Sequence, residues 1–277
     1  MDDFSGLDGA ALVVGASGGI GRVVAQMLIE RGCDVALTWR TNADSVDALV
    51  AQAHERGVRA KTWPLDVEDM VEAAGVVDAV ADYFGGIHTV VHAAGPHVPM
   101  THLSAVAPGY LLDQLNADVM GFANVVLPAL PHLRGSAGSI VAVTTAATSR
   151  YPVRDALSSI PKGAVEQFIK AVAAEEGRYG VRANCVGPGM LTDGMAERLI
   201  SSGELDERAL EVARGNIALR TFGTAHDIAE AVCFLASRRA GFITGQSSMS
   251  TAATRSSLRL APTWVASAAR CHQMSGQ

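Results

Sequence analysis

This sequence has few aromatic residues (5%), few cysteines, no excess of positive charge and no long apolar run. Each shortage closes off a class of answer. With 22 Lys and Arg against 28 Asp and Glu, the formal net charge is −6, so the chain lacks the basic surface that nucleic acids and anionic membranes require. No stretch approaches the ~20 apolar residues of a membrane-spanning helix. The opening MDDFSGLDGA is acidic, not a positive start followed by an apolar segment. A cytoplasmic protein without nucleic-acid or membrane partners is expected. Cys33, Cys185, Cys233 and Cys271 are scattered with no CxxC pair, which points to reduced thiols.

What is present is apolar mass: 49% of 277 residues, with charged residues held to 18%. One large domain accommodates this. Short apolar runs at 10–15, 34–39, 60–65, 89–93, 139–144 and 182–186 alternate with helix-like segments at 20–31, 43–56, 67–84, 104–133 and 163–178. Strands that are apolar throughout belong to a parallel sheet covered on both faces. The expected fold is therefore α/β, a Rossmann-type doubly wound parallel sheet in three α/β/α layers, with a ligand crevice at the carboxyl ends of the strands. The domain is expected to span 1–246.

The first strand runs directly into Gly15-Ala16-Ser17-Gly18-Gly19-Ile20-Gly21, which opens the first helix. Glycines in that position let backbone approach a pyrophosphate, whose charge then rests on a helix N-terminus. A dinucleotide cofactor is expected. After the second strand come Trp39-Arg40-Thr41-Asn42, with no carboxylate before Asp44. An acid there would hold the ribose hydroxyls of NAD, whereas Arg accommodates the extra phosphate of NADP. NADP(H) is favoured, with Arg40 as the phosphate clamp; NAD(H) stays possible if Arg40 is merely a solvated strand end. His88, His92, His97 and His102 cluster around the fourth strand, but their spacing matches no helical ligand motif and no carboxylate accompanies them. No metal is expected, and His92 and His97 are expected to line the crevice mouth.

Taken in order, these motifs resemble the short-chain dehydrogenases/reductases over most of residues 8–246. Gly15, Gly19 and Gly21 match the family's glycine pattern, with Ser17 and Ile20 inside the loop. Leu65-Asp66-Val67 looks like its adenine-binding segment, and His92-Ala93-Ala94-Gly95 is similar to its Asn-Asn-Ala-Gly stretch. Asn116 stands where the family keeps an Asn in its long fourth helix. Asn184-Cys185-Val186-Gly187-Pro188-Gly189 and Thr192 resemble the segment that meets the nicotinamide, and Phe242-Ile243-Thr244-Gly245-Gln246 looks like the entry to the last strand. The resemblance implies a homodimer or homotetramer acting on a small carbonyl or alcohol substrate, which residues 194–220 would cover.

The catalytic part departs from that resemblance. The family's tetrad is Asn, Ser, Tyr and Lys, with Tyr four residues before Lys and Ser about thirteen before Tyr. Counting back from Lys162 gives Ser158 and then Thr145, so the set here reads Asn116, Thr145, Ser158, Lys162. A phenol near a Lys ammonium serves as a general acid or base; a serine hydroxyl is a much weaker acid on a shorter stem. Ser158, a bound water or Tyr151 would have to handle the proton. Ser158 also reads as a helix cap, with Pro161 in the first turn. The family's enoyl-reductase variant places Tyr seven before Lys, where this chain has Asp155, an acid or a solvated loop carboxylate. Two readings result: an NADP(H)-dependent oxidoreductase, or a noncatalytic dinucleotide-binding protein that has lost the Tyr.

After Gln246 the resemblance ends. One codon assignment for residues 247–255, with a single G restored ahead of it, reads Val-Leu-Asp-Val-Asp-Gly-Gly-Tyr-Ser, which looks like the family's last strand. Residues 247–277 are expected to be a frameshifted tail, with the seventh strand lost or degraded and the sheet edge exposed.

Overall fold

The computed structural model describes residues 3–96, 98–192 and 207–250. The strands are β1 (Ala10–Val14), β2 (Val35–Trp39), β3 (Ala60–Pro64), β4 (Ile87–His92), β5 (Ser139–Val143), β6 (Arg182–Pro188) and β7 (Ser247–Ser250). They form one seven-stranded sheet in the order β3-β2-β1-β4-β5-β6-β7, with every pair parallel. Strand order reverses between β1 and β4, which places the crevice of a doubly wound sheet there.

Alternation along each strand divides the core. Ala11 and Val13 pack with α1 (Gly19–Glu30) and with Ile228 and Val232 of a late helix, while Ala10, Leu12 and Val14 face the opposite layer. That second layer holds α3 (Met70–Phe84), α5 (Gly121–Ser136) and α7 (Ala156–Glu176). α2 (Asp44–Glu55) follows β2, α4 (Pro108–Leu115) precedes α5, α6 (Ala147–Arg150) follows β5, α8 is Glu207–Asn216 and α9 is the late helix, Ala225–Ala236. Among the described residues no helix is long and apolar enough to cross a membrane.

Four local expectations are corrected. The helix expected from residue 67 starts at Met70, because Asp69 Oδ1 accepts the Val71 and Glu72 N–H groups at 2.9 and 3.0 Å. The helix expected over 104–133 is interrupted: α4 and α5 are joined by a π-turn at Asn116–Met120. The helix expected from 163 begins at Ala156, so Ser158 lies inside its first turn and does not cap it, and Pro161 sits in the helix. The seventh strand is present: Ser247–Ser250 pairs with Cys185–Pro188, and Cys185 N–H donates to the Gln246 carbonyl at 2.8 Å. Backbone pairing makes this strand despite its polar sequence. The sheet thus runs four residues past the boundary expected at 246, and residues 251–277 lie outside the described residues.

Candidate functional site

The carboxyl edge of the sheet has two ends of different character. At the first, β1 leads into the glycine loop. Gly15 sits at φ +83°, and a Cβ there would lie 2.9 Å from the Ala94 backbone; a Cβ on Gly21 would collide with the Gly15 carbonyl. The loop therefore lies directly on Ala93 and Ala94. It is fixed by Gly15 N–H donating to Thr38 Oγ1 at 3.2 Å and Ala16 N–H donating to the Thr38 carbonyl at 2.9 Å. Gly18 precedes α1 without any side-chain cap, so first-turn N–H groups stay open to an anion. Ser17 and Ile20 are half-buried, and Gly19 is exposed. A cradle that one methyl group would fill suits the close backbone approach of a pyrophosphate, so these residues fit a dinucleotide.

Arg40 is exposed just beyond β2 and has no hydrogen bond or ion pair among the described residues. Asp66 Oδ1 accepts the Glu68 N–H at 3.1 Å. The Val67 carbonyl accepts from Asn124 Nδ2 at 2.9 Å, and a Cβ on Gly121 would lie 2.7 Å from Val67 Cγ2. Val67 is thus clamped against α5.

At the second end, a Cβ on Gly95 would meet Lys162 Nζ at 3.1 Å and Asp118 Oδ1 at 3.3 Å. Lys162 Nζ lies 2.6 Å from Asp118 Oδ1, with the Asp118 side chain 1% exposed. The two charges touch as an ion pair that is not aligned as a hydrogen bond. Asp118 Oδ1 and His92 Nε2 are buried atoms without a hydrogen-bond partner among the described residues. The π-turn brings Asp118 inward, and Asn116, at its start, is left exposed. The structure does not bring Asn116 into the cluster; the carboxylate two residues later takes that place.

His92 is corrected as well. It is 3% exposed, with its ring edge-on to Phe122 at 5.2 Å between centroids, so it underlies the cluster and does not line the mouth. Burial, with the neighbouring Lys162 charge, pushes its pKa down to about 3, and the ring is neutral. His97 lies outside the described residues.

Thr145 follows β5 and is gripped by β6. Thr144 N–H donates to the Val186 carbonyl and Ala146 N–H to the Pro188 carbonyl, both at 2.8 Å, and a Cβ on Gly187 would lie 3.1 Å from the Thr145 carbonyl. Thr145 Oγ1 accepts the Ala147 N–H at 3.2 Å, which leaves its own proton to donate. Ser158 is half-buried, and its hydroxyl has no partner among the described residues. Pro188, the last residue of β6, and Gly189 just beyond it are half-buried, and Thr192 is exposed, its N–H donating to the Gly223 carbonyl at 2.9 Å. Asn184 is structural: its amide donates to the Ile243 carbonyl at 2.9 Å and accepts the Gln246 N–H at 3.1 Å.

Tyr151 does not join this cluster. It is 77% exposed at φ +50° and borders a cavity of 510 Å³ with Thr148, Arg154, Ser159, Gly163 and Glu166. Those α7 residues form one stripe; Ser158, Lys162, Val165 and Ile169 form another, which meets the core. Glu166 Oε1 accepts the hydroxyls of Thr144 at 3.1 Å and Thr148 at 2.9 Å. Sequence reasoning missed both Asp118 and Glu166. A lone acid inside an apolar helical stretch was the available signal for each.

The family model described as enoyl-(acyl carrier protein) reductase matches residues 15–251. The 3-oxoacyl-(acyl-carrier-protein) reductase of Staphylococcus aureus is 31% identical over 241 residues, covering 86% of this chain and 94% of that protein. Among solved structures, a short-chain dehydrogenase from Burkholderia cenocepacia in complex with NADP superposes with a TM-score of 0.79 at 29% identity, over 87% of this chain and 96% of that one. An NAD+-bound xylitol dehydrogenase superposes with a TM-score of 0.81 at 25% identity, over 89% of this chain and 98% of that one.

Proposed function

This chain belongs to the short-chain dehydrogenase/reductase family of NAD(P)-dependent oxidoreductases, and from that premise we propose that it uses NADP(H) to interconvert a carbonyl and an alcohol. The observation that carries the cofactor choice is the exposed Arg40 just beyond β2, unpaired among the described residues, with no carboxylate between it and Asp44. The pyrophosphate rests on the loop of Gly15, Ser17, Gly19, Ile20 and Gly21. Asp66 and Val67 border the adenine, while Ala93, Ala94, Gly95, Pro188, Gly189 and Thr192 border the nicotinamide end. When bound, the cofactor supplies or accepts a hydride.

The chain's own residues set out the substrate. Thr145 donates a hydrogen bond to the substrate oxygen. Lys162 is held beside Asp118 as an ion pair, and its N–H donors serve the ribose hydroxyls. Asp118 replaces Asn116 in this reading as the residue that positions Lys162. The noncatalytic reading of this chain is disfavoured, because the named relatives are reductases and dehydrogenases and the chain keeps Lys162 and, at Thr145, a hydroxyl in the Ser position. Exposed Leu112, Met120, Leu127 and Ile160 support a homodimer or homotetramer.

The test is a fluorescence titration of the wild-type protein and Arg40→Ala with NADPH and with NADH. Micromolar binding with NADPH preferred is expected. The variant should lose about 10-fold or more in NADPH affinity, as for one charge-assisted bond, with NADH unchanged. Equal wild-type affinity for the two cofactors would count against the NADP(H) reading.

A further inference from the structure

We propose that Asp155 is the residue that exchanges a proton with the substrate oxygen, the task for which this chain has Ser158 where the family's pattern has a tyrosine. The inference rests on the oxidoreductase reading above. Its ground is a carboxyl left without structural employment beside the Ser158–Lys162 stripe. Asp155 immediately precedes α7, at a position where an Asp side chain ordinarily accepts first-turn N–H groups. Here it accepts none. The Ser158 and Ser159 N–H groups go instead to its backbone carbonyl, at 3.2 and 2.9 Å. The side chain is half-buried and has no hydrogen bond or ion pair among the described residues. Its neighbours Arg154 and Ala156 border the 510 Å³ cavity, and Asp155 does not. Ser158 and Lys162, four apart, fall on one face of α7, and Asp155 stands at the start of that row, one residue before the helix, with its carbonyl accepting the Ser159 N–H.

The charged and titratable groups nearest it along the chain are Arg150, Tyr151 and Arg154, with Lys162 two turns along α7; His102 follows Thr101, whose N–H donates to the Arg154 carbonyl at 3.0 Å, and none of them forms an ion pair with Asp155 among the described residues. Arg154 is turned away, donating to the Met100 carbonyl at 2.7 Å, and Lys162 is held on Asp118. Burial alone pushes the Asp155 pKa up to about 6. Both protonation states are then accessible near neutrality, as a group that works in both directions requires.

In reduction, the carbonyl carbon would gain a C–H bond from the hydride given up by NADPH, which becomes NADP+, as the C=O π bond breaks, and its oxygen would gain the carboxyl proton, directly or through one water. The O–H bond of Asp155 breaks, and the carboxylate recovers a proton from solvent. Oxidation runs the same exchange backwards. A carboxyl stem is shorter than a phenol, so the single water is the expected bridge.

The experiment compares wild type with Asp155→Asn and Asp155→Glu. Asp155→Asn should lower kcat for carbonyl reduction about 100-fold or more, with NADPH affinity within twofold of wild type and the activity limb near pH 6 abolished. Asp155→Glu should restore part of kcat and shift that limb. Independently of turnover, infrared titration without cofactor should show a carboxyl losing its proton near pH 6 in wild type and absent from Asp155→Asn. Wild-type kcat in Asp155→Asn with the limb intact would overturn the inference while leaving the oxidoreductase reading standing. A wild-type protein that binds NADPH but reduces no carbonyl would overturn both.

Discussion

The two ends of the crevice are built on different principles. The cofactor end is made of backbone: Gly15 and Gly21 remove side chains where strand, loop and helix converge, and N–H groups provide the chemistry. The substrate end, as proposed, is made of side chains, Thr145, Ser158, Lys162, Asp118 and Asp155, on elements that would tolerate other residues. A backbone site admits almost no substitution without a clash. A side-chain site can exchange its chemistry while the fold stays intact. On this reading the glycine loop keeps its family pattern while Ser158 stands where the family's pattern has a phenol.

The largest effect should come from the substrate end. Lys162→Met leaves the buried Asp118 carboxylate without its partner, which costs about 3–5 kcal/mol. The loss should appear as a lower denaturant midpoint at pH 7, and adding Asp118→Asn should recover most of it. No recovery would mean that the pair is not what holds this end together. Gly15→Ala sharpens the contrast from the cofactor side. Its Cβ would lie 2.9 Å from the Ala94 backbone at positive φ, a conformation costing about 1–2 kcal/mol before any displacement. Titration should show NADPH binding weakened about 10-fold or more, and wild-type affinity would refute the direct packing of the loop on Ala94. The smallest effect is expected from Tyr151→Phe, which removes a phenol from the neighbouring cavity: kcat and KM should stay within about twofold of wild type. A large drop in kcat would return Tyr151 to the proton step and break the division between the two stripes of α7.

The cofactor end was legible in the sequence because its signals are local: an apolar strand, glycines at fixed offsets, a helix. The substrate end was legible only to the extent that helices are regular. Asn116 was a reasonable expectation for a straight α-helix, but the π-turn at Asn116–Met120 widens the helix and rotates Asp118 inward. Ser158 looked like a cap because Pro161 reads as a first-turn residue. The helix starts two residues before Ser158, and Pro161 is buried within it. Ser247–Ser250 carries no strand pattern at all; it pairs because β6 offers a row of backbone groups in register.

The ion pair between Lys162 and Asp118 has a consequence for ionic strength. Its charges cancel over 2.6 Å in a setting shielded from solvent, beyond the reach of dissolved counterions. Arg40 stands exposed at the other end of the crevice, where counterions at physiological ionic strength screen within about 8 Å. If Arg40 holds the cofactor phosphate as proposed, salt would loosen the grip that distinguishes one dinucleotide from the other while the buried Lys162–Asp118 pair keeps its aim.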